Sequence, residues 1–183
     1  MRSRSVCGNH IPHGKSVARP GSSPLMKLPM RPVPRPIGHM GAAKLGWHAE
    51  VFVDAGLLPE LIPVFEGTPI ALVLDHFGNP GAGERAVEAT LEAAARLART
   101  RAVWCKLSAP YRLVQGLDPA RLAARWLEVL GRDRLVWGSD WPWTRHEAGR
   151  NYGGAAASVD RWVPRATVPA VLWDNPAQLY RFA

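Results

Sequence analysis

The chain has 183 residues, 47% of them hydrophobic, and a formal net charge of +8. At a soft prior of ~150 residues per domain this is one ordinary domain with apolar side chain enough for a core, which excludes a chain disordered throughout. The charge is uneven: eight Lys and Arg and no acid fall in residues 1–45, while from Gly46 onward fifteen basic residues balance fifteen acidic ones. A basic nucleic-acid face on the folded part is therefore excluded, and only the tail could support such a partner. Cys7 and Cys105 form neither a disulfide framework nor a zinc-finger spacing, so a reducing, cytoplasmic setting is expected. No segment reaches the ~20 apolar residues of a membrane span or the ~7–15 of a secretory leader core, so no membrane partner is expected.

Residues 1–44 read as a basic, Pro-rich, disordered tail. Pro29, Pro32, Pro34 and Pro36 break any helix or central strand, and the apolar residues there lack a period. His10 and His13 flank Pro12 and belong to that tail rather than to a metal site.

The body, 45–183, starts with a strand over 47–53 and a short helix over 57–65. The run Ile70-Ala71-Leu72-Val73-Leu74 is continuously apolar, as in parallel strands buried on both faces. A helix over 84–99 follows, with Val87, Leu91, Ala95 and Ala98 at helical spacing and Glu92–Arg96 as an i,i+4 pair. A third strand spans 102–107. The next helix has Asp118 as N-cap, Pro119 at its first position and Gly131 as its stop, with Leu122, Trp126, Val129 and Leu130 as its buried stripe. A short strand over 134–138, a helix over 156–162 and a last helix from Asn175-Pro176 complete the chain. Strand and helix alternate four times, the pattern of an α/β fold with a parallel sheet, doubly wound or barrel. The run 78–83 is glycine-rich, but it lacks the G-x-G-x-x-G order of a dinucleotide loop.

In such sheets ligands sit at the carboxyl ends of the strands. Here those ends carry Asp75-His76, then Ser108-Ala109-Pro110-Tyr111-Arg112, then Ser139-Asp140-Trp141-Pro142. An imidazole, a guanidinium and a carboxylate on one rim can bind an anion, polarise a carbonyl and move a proton. Asp75 also reads as an ordinary strand-end hydrogen-bond acceptor. Asp140, between an apolar strand and Trp141-Pro142, is a carboxylate in a buried position and needs a partner or a task. His48 and Glu50 on the first strand join the rim as candidates for contact with substrate, beside Ser108, Tyr111 and Arg112.

The ordered set Asp75-His76-Phe77-Gly78, Trp104-Cys105-Lys106-Leu107-Ser108, Trp137-Gly138-Ser139-Asp140-Trp141-Pro142 and Asp174-Asn175-Pro176 resembles the amidohydrolase-related family, in the branch that contains pyrone dicarboxylate lactonases. The resemblance covers about 45–182. It implies parallel (β/α) units of a TIM-type barrel and hydrolysis of a lactone, amide or similar carbonyl substrate by activated water. It further implies that Asp140 handles the proton, that His76 activates the carbonyl or binds metal, and that Arg112 grips a substrate carboxylate. One zinc or manganese ion, held by His48, His76 and Asp140, or no metal at all, are the alternatives for a cofactor.

The chain departs from the pattern in three ways. It has no His-x-His, and Asn79 and Phe52 stand where the lactonase branch has arginine and tyrosine. A TIM-type barrel takes ~250 residues, and four strand–helix units make about half of one. The expectation is thus the C-terminal half of a barrel, whose open sheet edges invite self-association. A truncated or misframed product, catalytically inactive or a non-enzymatic interaction module of the same lineage, is the alternative to the hydrolase.

Overall fold

A computed structural model describes residues 37–182, with side chains from Gly41 onward. The stretch 1–36, with Cys7, His10 and His13, lies outside the described residues. Strands β1 (His48–Val51), β2 (Ala71–Leu74), β3 (Val103–Leu107) and β4 (Leu135–Trp137) form one parallel sheet in the order β1-β2-β3-β4. The register runs Val51 beside Leu74, Leu74 beside Cys105, and Leu107 beside Trp137, so the strands end at a common rim. Helices α2 (Leu58–Phe65), α3 (Glu84–Ala98) and α4 (Pro119–Leu130) make the crossovers.

Period-two alternation gives the sheet two different faces. Leu72, Leu74, Val103, Cys105, Leu107 and Leu135 belong to the main core, together with Val87, Leu91, Leu122 and Trp126 from the helices. The opposite face is smaller and mixed. Val73, Trp104 and Val136 are buried against Leu179, while Glu50 and Lys106 meet there as an ion pair. Strands β2, β3 and β4 therefore read as apolar runs with one lysine in them, while β1 carries His48 and Glu50.

Several local expectations hold for stated reasons. Asp118 caps α4 by accepting from the Ala120 amide at 3.0 Å, and Gly131 closes it at φ 76°. Trp126, fully buried, donates its indole N–H to the Phe77 carbonyl at 2.9 Å and ties α4 to the end of β2.

Others are corrected. Helix α1 (Ile37–Lys44) occupies the last eight residues assigned to the tail, a proline-free run in which Ala42 and Ala43 pack on the core. Arg96 pairs with Glu66 beyond α2 rather than with Glu92. The helix expected over 156–162 is two pieces, α5 (Tyr152–Ala156) and α6 (Val159–Trp162). The Ser158 hydroxyl donates to the Ala155 carbonyl at 2.5 Å, a local bond that competes with helix continuation. Helix α7 (Asn175–Tyr180) continues a π-helical turn over Ala170–Asp174, a geometry that tolerates the missing amide of Pro176.

Candidate active site

Each of the last three strands turns sharply where it ends. His76 and Phe77 after β2, Ala109 after β3 and Asp140 after β4 all have φ between 48° and 56°. This is the left-handed region that residues with a Cβ seldom enter, and backbone strain of this kind clusters at functional sites. The turns aim the side chains of His76 and Asp140 inward, over the carboxyl ends of the strands. There an open cavity of about 720 Å³ is lined by Glu50, Asp75, His76, Lys106, Ser108, Arg112 and Asp140, among others.

Asp140 is held by two side-chain donors. Its Oδ2 accepts from the Tyr111 hydroxyl at 2.6 Å and from Arg112 Nε at 2.7 Å. Its Oδ1 lies 3.7 Å from His76 Nε2, too far for a direct hydrogen bond. Burial alone would raise the Asp140 carboxyl. The hydrogen bonds from Tyr111 and Arg112, with the positive charges nearby, outweigh it and hold the group below its usual range. Burial and the same carboxylate push the Tyr111 phenol up to about 12, so it stays a donor. His76 is buried beneath the ring of Phe52, and its Nδ1 is paired with Ser108 Oγ at 2.8 Å. Burial lowers the imidazole against the opposing pull of Asp140 and Asp75, which favours its neutral form.

A second cluster stands beside the first. Lys106 Nζ lies 2.8 Å from Asp75 Oδ1 and 3.0 Å from Glu50 Oε2, and the Tyr180 hydroxyl donates to Glu50 Oε1 at 3.2 Å. Burial would lower the ammonium, but the two carboxylates outweigh it and hold it above the usual lysine value.

Of the residues singled out from the sequence, His76, Arg112, Asp140, Ser108 and Glu50 line one cavity. Tyr111 stands behind it, in a second cavity of about 190 Å³, with Arg150 stacked on its ring, and touches the first through Asp140. Arg112 and Tyr111, expected to face substrate, are both engaged by Asp140. His48 does not line the cavity. It sits two residues before Glu50 on the strand, roughly 6.6 Å farther from the rim, and its ring lies edge-on to Tyr180 in a separate depression. Lys106 and Tyr180 were missed. A lysine inside an otherwise apolar strand is the one signal that could have found the first.

The ligand set His48, His76 and Asp140 is thus not assembled. Among the described residues no three His, Cys, Asp or Glu side chains are grouped to hold a metal ion. The cavity's carboxylates are each paired with a cationic side chain of the chain itself, so the donor set present does not fit a metal.

Residues 41–182 match the amidohydrolase family, nearly four-fifths of the chain. The chain belongs to the amidohydrolase family. It is 30% identical over 155 residues to a 2-pyrone-4,6-dicarboxylate hydrolase of Comamonas testosteroni, covering 75% of this chain and 50% of that protein. It is 26% identical over 149 residues to the 4-sulfomuconolactone hydrolase of Rhizobium radiobacter, covering 78% of this chain and 50% of the relative. A crystal structure of a family member from Burkholderia multivorans with bound zinc superposes with a TM-score of 0.62 at 26% identity, covering 80% of this chain and 56% of that one. The chain therefore spans about half the length of the curated relatives it matches.

Proposed function

We propose that the cavity hydrolyses a lactone or similar ester, with Asp140 as the base that activates water. The observation that carries this reading is the Asp140 carboxylate itself. It is fixed through Oδ2 by Tyr111 and Arg112, and its Oδ1 is turned toward His76 at 3.7 Å. That separation leaves both Oδ1 and His76 Nε2 able to bond the same water. Two relatives are named for lactone or pyrone hydrolysis, which supports the substrate class.

Water adds through its oxygen to the acyl carbon as Asp140 Oδ1 takes its proton. The ring C–O bond then breaks, and the proton on Asp140 passes to the leaving oxygen. Neutral His76, oriented by Ser108, makes a hydrogen bond through Nε2 on the same face and gives up no proton. A carboxylate on the substrate would compete with Asp140 for the Arg112 guanidinium, whose planar fork suits two parallel hydrogen bonds. That competition would weaken the hold on Asp140 and raise its basicity once substrate is bound.

The second reading, a non-catalytic module of the same lineage, is favoured by the free outer edges of β1 and β4 in the described sheet, which would pair with another chain or a second copy. One assay separates the two. The purified chain is offered simple lactones and aryl esters. Turnover in the range of ~1–10³ per second, lost in Asp140→Asn, is the expected result. A chain without turnover, or turnover that survives Asp140→Asn, overturns the proposal.

A further inference from the structure

The reaction just described leaves the Lys106 cluster without a task, although it forms part of the same cavity. Lys106 is only 16% exposed, and its ammonium stands between Asp75 and Glu50 at 2.8 and 3.0 Å. An ammonium has three N–H donors. At most two are engaged by these carboxylates, with which the ammonium is ion-paired, and among the described residues no third carboxylate is paired with it. Its stem is placed just as closely. A Cβ at Gly138 would fall 2.9 Å from Lys106 Cδ and 3.2 Å from Cγ. The absence of a side chain at Gly138 is thus what lets the lysine stem cross the end of β4, two residues before Asp140.

Arg145 also lines the cavity, but it is solvent-exposed, and the other two basic side chains are already engaged. Arg112 is engaged by Asp140 Oδ2 and the Thr144 carbonyl, and His76 by Ser108. Acyl transfer needs a fixed donor aimed at the oxygen on which charge develops, and such a donor is usually worth a large part of the barrier.

Resting on the hydrolytic reading of Asp140, we propose that Lys106 is a catalytic residue whose third N–H donates to the substrate carbonyl oxygen and holds the oxyanion formed when water adds. Asp75 and Glu50 are positioning residues. They fix the ammonium in place and compensate its charge, so that it polarises a carbonyl without retaining a resident anion. The electron pair of the C=O bond moves onto oxygen as water adds and returns as the ring C–O bond breaks. Lys106 keeps its proton throughout, and Asp140 alone carries the transferred one.

The test uses two variants of the full chain and a tetrahedral mimic. Lys106→Met keeps the stem and removes the donor. Gly138→Ala keeps every charge and displaces the stem. Binding of a cyclic phosphonate and of the corresponding lactone is measured by calorimetry, together with kcat and KM, after a thermal melt of each variant. Both variants are expected to lose about 100-fold or more in phosphonate affinity and in kcat, with lactone affinity held within about threefold, the signature of a contact made only in the transition state. Equal losses for phosphonate and lactone show a merely structural role and overturn the inference, as does phosphonate binding unchanged in both variants. Should Lys106→Met fail to fold, Gly138→Ala decides alone. A wild-type chain that binds phosphonate through Lys106 but turns nothing over refutes the hydrolytic reading and leaves the donor assignment standing. A chain that hydrolyses lactones with Lys106→Met unimpaired refutes the donor assignment only. A wild-type chain that neither binds nor hydrolyses refutes both.

Discussion

Arg112 Nε lies 2.7 Å from Asp140 Oδ2, so the guanidinium read as a substrate ligand spends itself on a carboxylate of its own chain. This sets the acid limb of any activity. Asp140 works ionised, and its folded-state value is depressed in part by Arg112. Activity is then present above that depressed value and is lost as pH falls through it. Arg112→Gln removes a hydrogen bond and a charge, and Asp140 returns upward. The acid limb of the kcat/KM profile is expected to move to higher pH. A limb that stays put or moves down sinks the assignment.

His76 makes a prediction about stability. Its folded-state value is lowered, chiefly by burial, below an unfolded reference of ~6.5. The unfolded chain therefore binds more protons between the folded value and ~6.5, and stability rises with pH across that window. Thermal melts at pH 5 and pH 8 should show the wild type losing stability on acidification, and His76→Asn losing less over the same interval. Parallel losses in the two proteins would show that other groups carry the dependence.

Gly78 and Gly67 separate backbone strain from crowding. Both have φ above 69°, at 70° and 77°. A Cβ at Gly67 meets nothing within 4 Å, while one at Gly78 falls 2.6 Å from Trp126 Cζ2. Gly67→Ala should cost about 1–2 kcal/mol from the left-handed backbone alone. Gly78→Ala adds overpacking against a buried ring and should cost about 2–5 kcal/mol in urea unfolding. Equal costs would mean that Trp126 yields freely.

Asn175 belongs to a motif that carried the family resemblance, yet its work is structural. Its side-chain amide donates to the carbonyls of Arg132 and Leu135, each at 2.7 Å. Asn175→Ala leaves both acceptors without this donor, at about 1–3 kcal/mol for each buried one. The expected readout is a lower urea midpoint with the cavity residues unperturbed, as judged by phosphonate binding. A variant as stable as wild type would show that those carbonyls find other donors.

Strands β2, β3 and β4 were legible because burial on both faces makes each an apolar run, broken only by Lys106 in β3. α4 was legible because Asp118, Pro119 and Gly131 are stop and start signals with a local cause. The break between α5 and α6 was not, because it depends on one hydroxyl of Ser158 choosing a backbone carbonyl. Much of the cavity could be placed from the sequence, since His76, Ser108, Arg112 and Asp140 follow directly on strand ends. Lys106 was hidden by its position inside β3, where a polar residue reads as an interruption. Tyr180 was hidden by distance: it meets Glu50 from 130 positions away, a contact no local pattern announces.

His76, Ala109 and Asp140 hold left-handed backbone at the ends of three successive strands, and none of them is glycine. Backbone strain taken by itself would favour glycine at all three, because each replacement relieves strain of order 1–2 kcal/mol. At Ala109 the exchange removes only a methyl group. At the other two it deletes an imidazole or a carboxylate from the cavity. Thermostable descendants of this chain should therefore accumulate Ala109→Gly and leave the other two positions unchanged for as long as hydrolysis is also demanded, so that the pattern of glycine gain becomes a record of whether the site is in use.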